Sequence, residues 1–317
     1  MTPPSQPPVS SQPADLADES DDDGAGPACV MVFNANDPSG AGGLAADATA
    51  IASVGAHALT IVTGAYARDT AEIFDHFAFD EEAVAEQARA VLEDVAVQVI
   101  KVGFVGSPEI LSTIAELAAD YADVPLVAYM PNLSWWEEDQ IDAYLDAFRE
   151  LILPQTTVLV GNHSTLWRWL LPDWSSERPP TARDIAKAAG DKGASYTLVT
   201  GIPLPDQHVD NVLASPQTVL VSGRFELFEA VFSGAGDTLS GALAALLAGG
   251  TELAEATSEA LAYLDRCLDG GFRPGMGHIL PDRMFWAQPD DDEAQEEQEE
   301  GETPSAALEF SPNGTRH

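Results

Sequence analysis

Positive charge is what this chain has least of. Its 317 residues carry 52 Asp and Glu against 14 Lys and Arg, a formal net charge of −38. Three of the cations are lysines, Lys101, Lys187 and Lys192, and the rest are arginines. Nucleic-acid binding needs clustered cations to displace phosphate counterions, and an anionic membrane surface needs the same, so both partner classes are excluded. Cysteine is nearly absent as well. Cys29 and Cys267 cannot build a disulfide framework or a four-cysteine zinc site. The six histidines, His57, His76, His163, His208, His278 and His317, are remote from one another in sequence and show no metal-ligand spacing. No apolar run approaches the roughly 18 residues of a membrane helix. The N-terminus lacks a basic segment followed by an apolar one, so the expected location is the cytoplasm. Neither a P-loop, G-x-x-x-x-G-K-[ST], nor a dinucleotide fingerprint, G-x-G-x-x-G, occurs, which argues against a P-loop kinase and a Rossmann dehydrogenase.

What is present divides by composition. Residues 1–26 hold six acids, five prolines and no base, and residues 287–317 hold ten acids and one base, Arg316. Neither segment has the apolar content to offset the entropy of ordering, so both are expected to be disordered acidic tails. Between them, residues 27–286 are expected to form one α/β domain. Apolar runs at 28–34, 58–63, 97–101, 125–129, 157–160 and 195–200 read as strands, and segments at 81–92, 109–119, 138–151, 182–189, 237–247 and 251–268 read as helices. Strand-like pieces at 217–222 and 226–232 precede the last two helices. This alternation implies βαβ units and a doubly wound, mostly parallel sheet flanked by helices.

Two Gly-rich turns carry the chemistry. Ser233-Gly234-Ala235-Gly236-Asp237-Thr238 opens a helix of small residues. Such a turn aims several backbone N–H groups at one point, where the helix dipole adds positive potential, and that makes an anion site. An Asp beside an anion site suits the removal of a proton from a hydroxyl that attacks a bound phosphoryl group. Taken alone, the turn fits an ordinary helix N-cap equally well. The second turn, Asn36-Asp37-Pro38-Ser39-Gly40-Ala41-Gly42-Gly43, follows the first strand, and Asp47 lies one turn into the next helix. Ligands of open α/β sheets bind beyond the carboxyl ends of the strands, where this loop would sit. The tryptophans Trp135, Trp136, Trp167, Trp169 and Trp174 are expected to pack rather than to stack bases.

With these pieces in order, the chain resembles the ribokinase-like superfamily, and within it the hydroxymethylpyrimidine and phosphomethylpyrimidine kinases of thiamine biosynthesis. The resemblance rests on NANDPSGAGGLAADATAIASVGAHALTIVTGAYARDT at 34–70, VIKVGFVGSPEIL at 99–111 and SGAGDTLSGALAALLAGG at 233–250. It implies ATP- and Mg²⁺-dependent phosphorylation of a primary alcohol on a small heteroaromatic ring; a homodimer is expected. Asp237 is then the base, and Gly234, Ala235 and Gly236 supply the anion hole. Asp37, Gly42, Gly43, Arg68 and Phe104 line the substrate site, and Asn162, Thr200 and Gly201 contact the nucleotide. Four stretches depart from the family pattern. Arg68 stands where a Gln is usual, Ala128-Tyr129-Met130-Pro131-Asn132 replaces a D-P-V-M stretch, Thr165 replaces the Glu of an N-x-x-E magnesium motif, and Thr200 replaces a Lys. The metal ligands are therefore left unassigned. A pyridoxal-type kinase and a ligand-binding protein that has lost turnover are the alternatives.

Overall fold

A computed structural model describes residues 26–287. The expected acidic tails, 1–26 and 287–317, lie outside the described residues apart from Gly26 and Ala287. Nine strands join one sheet: β1 (Cys29–Asn36), β2 (His57–Arg68), β3 (Ile73–Ala78), β4 (Val99–Val102), β5 (Leu126–Met130), β6 (Val158–Asn162), β7 (Tyr196–Leu204), β8 (His208–Ala214) and β9 (Val219–Glu226). Their order is β3-β2-β1-β4-β5-β6-β7-β8-β9. The six central strands run parallel, and β3, β8 and β9 add antiparallel edges. This is the doubly wound, mostly parallel sheet that the alternation implies.

Parallel strands are covered on both faces, and alternate side chains of one strand enter different cores. In β1, Val30 and Val32 join Leu44 and Ile51 of α1 (Gly43–Ser53), Leu239 and Leu243 of α7 (Ala235–Ala248), and Ala256 and Leu261 of α8 (Leu253–Asp269). Met31 and Phe33 enter the opposite core, with Val84 of α2 (Glu81–Leu92), Ile110 and Ile114 of α3 (Pro108–Asp120), Tyr144 of α4 (Glu138–Ala147), Trp169 of α5 (His163–Leu170) and Ile185 of α6 (Ala182–Gly190). Side-chain caps fix several helix starts. Asp80 accepts from Glu82 N–H, Ser107 from Ile110 N–H, and Thr181 with Asp184 forms a reciprocal capping box. Among the described residues no helix is long and apolar enough to cross a membrane.

Three elements were not expected from the sequence: β3, β8 and α5. β3 is an edge strand, α5 is a short helix, and β8 begins with the mostly polar run His208-Val209-Asp210-Asn211, so the apolar period of each is weak. The expected strand at 226–232 is absent. Pairing with β8 ends at Glu226, and beyond it only Phe232 makes an isolated bridge, to Ile279. The helix expected over 138–151 is α-helical to Ala147 and then widens into a π-helical turn, Phe148–Ile152.

β1 has β2 on one side and β4 on the other, so the strand order reverses there. Such a switch point opens a crevice at the carboxyl ends of the strands. The loop 37–42 after β1 and Gly103-Phe104 after β4 both lie at that crevice. α7 brings a third Gly-rich segment to it. Asp237 and Gly241 are one turn apart on one face of α7. A Cβ on Gly241 would stand 3.4 Å from Asp47 Cα, so the missing side chain lets α1 approach and sets Asp47 beside Asp237.

Candidate active site

Asp37 organises the first Gly-rich loop. Its Oδ1 accepts from Ser39 N–H at 2.9 Å and Ser39 Oγ at 2.7 Å, and its Oδ2 accepts from Gly42 N–H at 2.8 Å and Arg68 Nη1 at 3.2 Å. The chain then turns at Gly43 with φ +59°, where a Cβ would collide with the Ala35 carbonyl oxygen, so a side chain is barred on two grounds.

The second turn is fastened to the first. Gly234 has φ +87°, and a Cβ there would collide with the Ala41 carbonyl oxygen. Arg283 locks the two segments together: Nε donates to Thr238 Oγ1 at 2.8 Å, Nη1 to Gly40 O at 3.1 Å, and Nη2 to Ala41 O. The first intrahelical bond of α7 runs from Thr238 N–H to Gly234 O at 3.0 Å. The N–H groups of Gly234, Ala235, Gly236 and Asp237 therefore have no intrahelical acceptor, and they share the positive end of a 14-residue helix. An oxyanion or phosphoryl oxygen placed there would satisfy them.

Asp237 stands at the edge of that cradle. Its Oδ1 accepts from Asn34 Nδ2 at 2.9 Å and Lys101 Nζ at 3.2 Å, and its Oδ2 accepts from Gly43 N–H at 3.0 Å. Its side chain retains 15% exposure, while those of Lys101 and Asp47 retain none. Lys101 also pairs with Asp47, whose Oδ2 takes the second Asn34 Nδ2 hydrogen at 2.8 Å. Two carboxylates thus share one buried ammonium and one amide. Burial alone would push Lys101 down, but Asp47 and Asp237 outweigh it and hold the ammonium above its ordinary value. Burial raises Asp47 to about 6, with Lys101 opposing and Asp237 adding to the rise. Asp237 is the member of the set that reaches the crevice.

Beside this polar centre lies an aromatic wall. Phe104, 2% exposed, has ring neighbours at 4.9 Å (His76), 5.1 Å (Trp136), 5.2 Å (Tyr144), 5.5 Å (Trp135) and 5.8 Å (Tyr66, stacked). Burial holds His76 down at about 4, so its imidazole is neutral, and its Nε2 has no partner among the described residues. Flat side chains therefore flank the crevice. Trp135 and Trp136 belong to this packing, as expected.

On the far side of the anion turn is a cavity of about 320 Å³ lined by Asn162, Thr200, Gly201, Phe225, Ala235 and Leu261 among others. Ala235 belongs both to this cavity and to the anion turn, so the two are continuous. Asn162 Oδ1 accepts from Ser164 N–H at 3.0 Å and Ser164 Oγ at 2.9 Å, which caps α5. Gly201 has φ +66° and donates its N–H to Asn211 Oδ1 at 2.9 Å. Among the described residues no three His, Cys, Asp or Glu side chains group as metal ligands. Asp37, Asp47 and Asp237 are each engaged by cations or N–H groups, so this site does not fit a protein-held Mg²⁺ cage.

A family model described as phosphomethylpyrimidine kinase matches residues 37–282. The chain belongs to that family. Among curated relatives, the hydroxymethylpyrimidine/phosphomethylpyrimidine kinase of Streptomyces coelicolor is 27% identical over 82% of this chain and 96% of its own length. The enzyme of that name from Escherichia coli is 25% identical over 81% and 97%. Among solved structures, an ADP complex of Bacillus subtilis pyridoxal kinase superposes with a TM-score of 0.74 at 20% identity, covering 83% of this chain and all of that one. A phosphomethylpyrimidine kinase from Clostridium difficile gives 0.62 at 20% identity, covering 76% and 99%. The fold is ribokinase-like, and the protein is a kinase.

Against this family frame, the sequence-derived residues fall into two groups. Asp37, Gly42, Gly43, Arg68, Gly234, Ala235, Gly236 and Asp237 converge at the crevice through the bonds given above. Phe104 closes its aromatic side, and Asn162, Thr200 and Gly201 share the adjoining cavity. Sequence reasoning missed Asn34, Lys101 and Arg283. Lys101 alone carried a usable signal, because a lysine inside the apolar run of β4 must find a buried partner.

Proposed function

We propose that this kinase transfers the γ-phosphoryl group of ATP to the hydroxymethyl oxygen of hydroxymethylpyrimidine, and a second phosphoryl group to the resulting monophosphate, in thiamine biosynthesis. The observation that carries the reading is Asp237: a carboxylate reaching the crevice beside four N–H groups without intrahelical acceptors, at the boundary between an aromatic-walled recess and an apolar cavity. Asp237 takes the hydroxyl proton as the alcohol oxygen bonds to the γ-phosphorus and the bond to the departing ADP oxygen breaks. The N–H groups of 234–237 hold the charge on the transferring group. Asn34, Lys101 and Gly43 orient the carboxylate, and Lys101 offsets part of its charge. Phe104, Tyr66 and Trp135 supply flat apolar surface for a heteroaromatic ring. Asn162, Thr200, Gly201 and Ala235 hold the nucleotide, and Mg²⁺ comes with the ATP phosphates. The reading carries a cytoplasmic location and a homodimer with it.

The direct test is single-turnover phosphorylation of hydroxymethylpyrimidine, its monophosphate and pyridoxal by the same preparation. The pyrimidine and its monophosphate should be phosphorylated well ahead of pyridoxal. Preference for pyridoxal would reassign the substrate, and binding without turnover of all three would leave a binding protein.

A further inference from the structure

In a chain with 14 cations, three meet at the two Gly-rich turns: Lys101, Arg283 and Arg68. Two serve the framework. Lys101 bridges the carboxylates, and Arg283 ties the two turns together through carbonyl oxygens and Thr238. At the two turns Arg68 instead meets only side chains, those of Asp37 and Ser233. Its side chain is 9% exposed and has five N–H donors. Nε binds Asp69 O at 3.0 Å, Nη1 binds Asp37 Oδ2 at 3.2 Å, and Nη2 binds Ser233 Oγ at 3.3 Å. Two donors, one on each terminal nitrogen, have no partner among the described residues. Ser233, which immediately precedes Gly234, has its hydroxyl 3.1 Å from His278 Nδ1. His278 Nε2 has no partner among the described residues and can donate in the tautomer that carries its hydrogen there. The segment bearing His278 is stitched to the end of β2: His278 N–H donates to Thr70 O at 3.0 Å and Gly277 N–H to Thr70 Oγ1 at 3.1 Å. Arg68, Ser233 and His278 are thus held side by side, with donors to spare, next to the head of α7.

A planar fork with spare donors, steadied by a carboxylate on one side and a hydroxyl on the other, matches a phosphate group. We propose that Arg68, Ser233 and His278 form a phosphate grip beside the anion turn, separate from its backbone N–H groups. This inference rests on the phosphotransfer reading above, and it sets a preference within it. An acceptor that already carries a phosphate ester gains contacts that a free alcohol lacks. The attacking group is then an ionised phosphate oxygen, which forms the new bond to the γ-phosphorus while ADP departs, and no proton has to be removed.

The test uses the full-length protein and Arg68→Gln, with Arg68→Lys as the variant that keeps a charge against Asp37 and loses the fork. Inorganic phosphate is titrated by thermal shift, and kcat/KM is measured with hydroxymethylpyrimidine and with its monophosphate. Loss of charge-assisted hydrogen bonds should weaken inorganic phosphate roughly 10- to 100-fold in Arg68→Gln. Arg68→Lys should fall in between, and Ser233→Ala should show a smaller loss. A drop confined to the ratio of monophosphate to free-alcohol kcat/KM places the gripped phosphate on the acceptor. An equal drop with both acceptors and a raised KM for ATP places it on the donor. Phosphate affinity within twofold of wild type in both Arg68 variants overturns the grip. Should wild type turn over neither acceptor while phosphate affinity still depends on Arg68, the phosphotransfer reading fails and the grip stands.

Discussion

Lys101→Met is the most informative perturbation of stability. Lys101 is fully buried between Asp47 and Asp237, and Asp47 is fully buried too. Removing the ammonium leaves two carboxylates facing each other with only Asn34 Nδ2 between them. Breaking a buried pair by deleting one partner costs about 3–5 kcal/mol. At roughly 2–4 °C per kcal/mol for a domain of this size, the melting temperature should fall by roughly 6–20 °C. The loss should depend on pH with a definite sign. Asp47 already sits at about 6 with Lys101 present, and without it moves further above the ordinary carboxylate value of 3.8. A carboxyl raised in the folded state gives stability that is complete at low pH and lost as pH rises through the folded value. The variant should therefore be closest to wild type near pH 5 and furthest from it near pH 8. The double variant Lys101→Met/Asp47→Leu removes both charges and should recover most of the loss, because replacing a buried pair with apolar groups is near neutral or stabilising. Urea unfolding of the three proteins at both pH values measures all of this. A cost below about 1 kcal/mol for the single variant, or a double variant no better than the single, would refute the buried-triad account.

Two further predictions concern the cradle. Turnover of wild type should fall as pH drops through about 6, because protonated Asp47 no longer shares Lys101 and leaves the ammonium to Asp237 alone. Asp47→Asn should remove that limb of the pH–rate profile and leave a uniformly slow enzyme. Gly234→Ala should cost more than about 2 kcal/mol, since it adds left-handed strain to a collision with Ala41 O. Gly40→Ala, with φ +71° but no atom within 4 Å of a new Cβ, should cost about 1–2 kcal/mol by thermal unfolding.

Local signals made the framework legible. The apolar run of β1, the two Gly-rich turns and the small-residue stretch of α7 each declare themselves within a dozen residues, and they placed Asp37 and Asp237 at one crevice. What escaped depends on partners distant in sequence. Lys101 meets Asp47 54 positions away and Asp237 136 positions away. Arg283 reaches Gly40 and Ala41 across more than 240 positions. Nothing in the local pattern of Ser233 or His278 signals that Arg68 lies between them and Asp37. α5 was missed for another reason. Asn162 was read as a nucleotide contact, so its role as the cap of the following helix was overlooked. β3 pairs with β2 through a segment, IFDHFA, whose aromatic residues are partly exposed and give no clean two-residue period.

The central claim is that Asp237 is a base and not merely the first acid of a helix. Asp237→Asn keeps the shape, the bond from Gly43 N–H and the geometry of the turn, but it cannot accept the hydroxyl proton. Single-turnover phosphorylation of hydroxymethylpyrimidine should slow by about 10²–10⁴-fold, with nucleotide affinity and melting temperature close to wild type. An unchanged rate in a folded, nucleotide-binding variant would contradict the account.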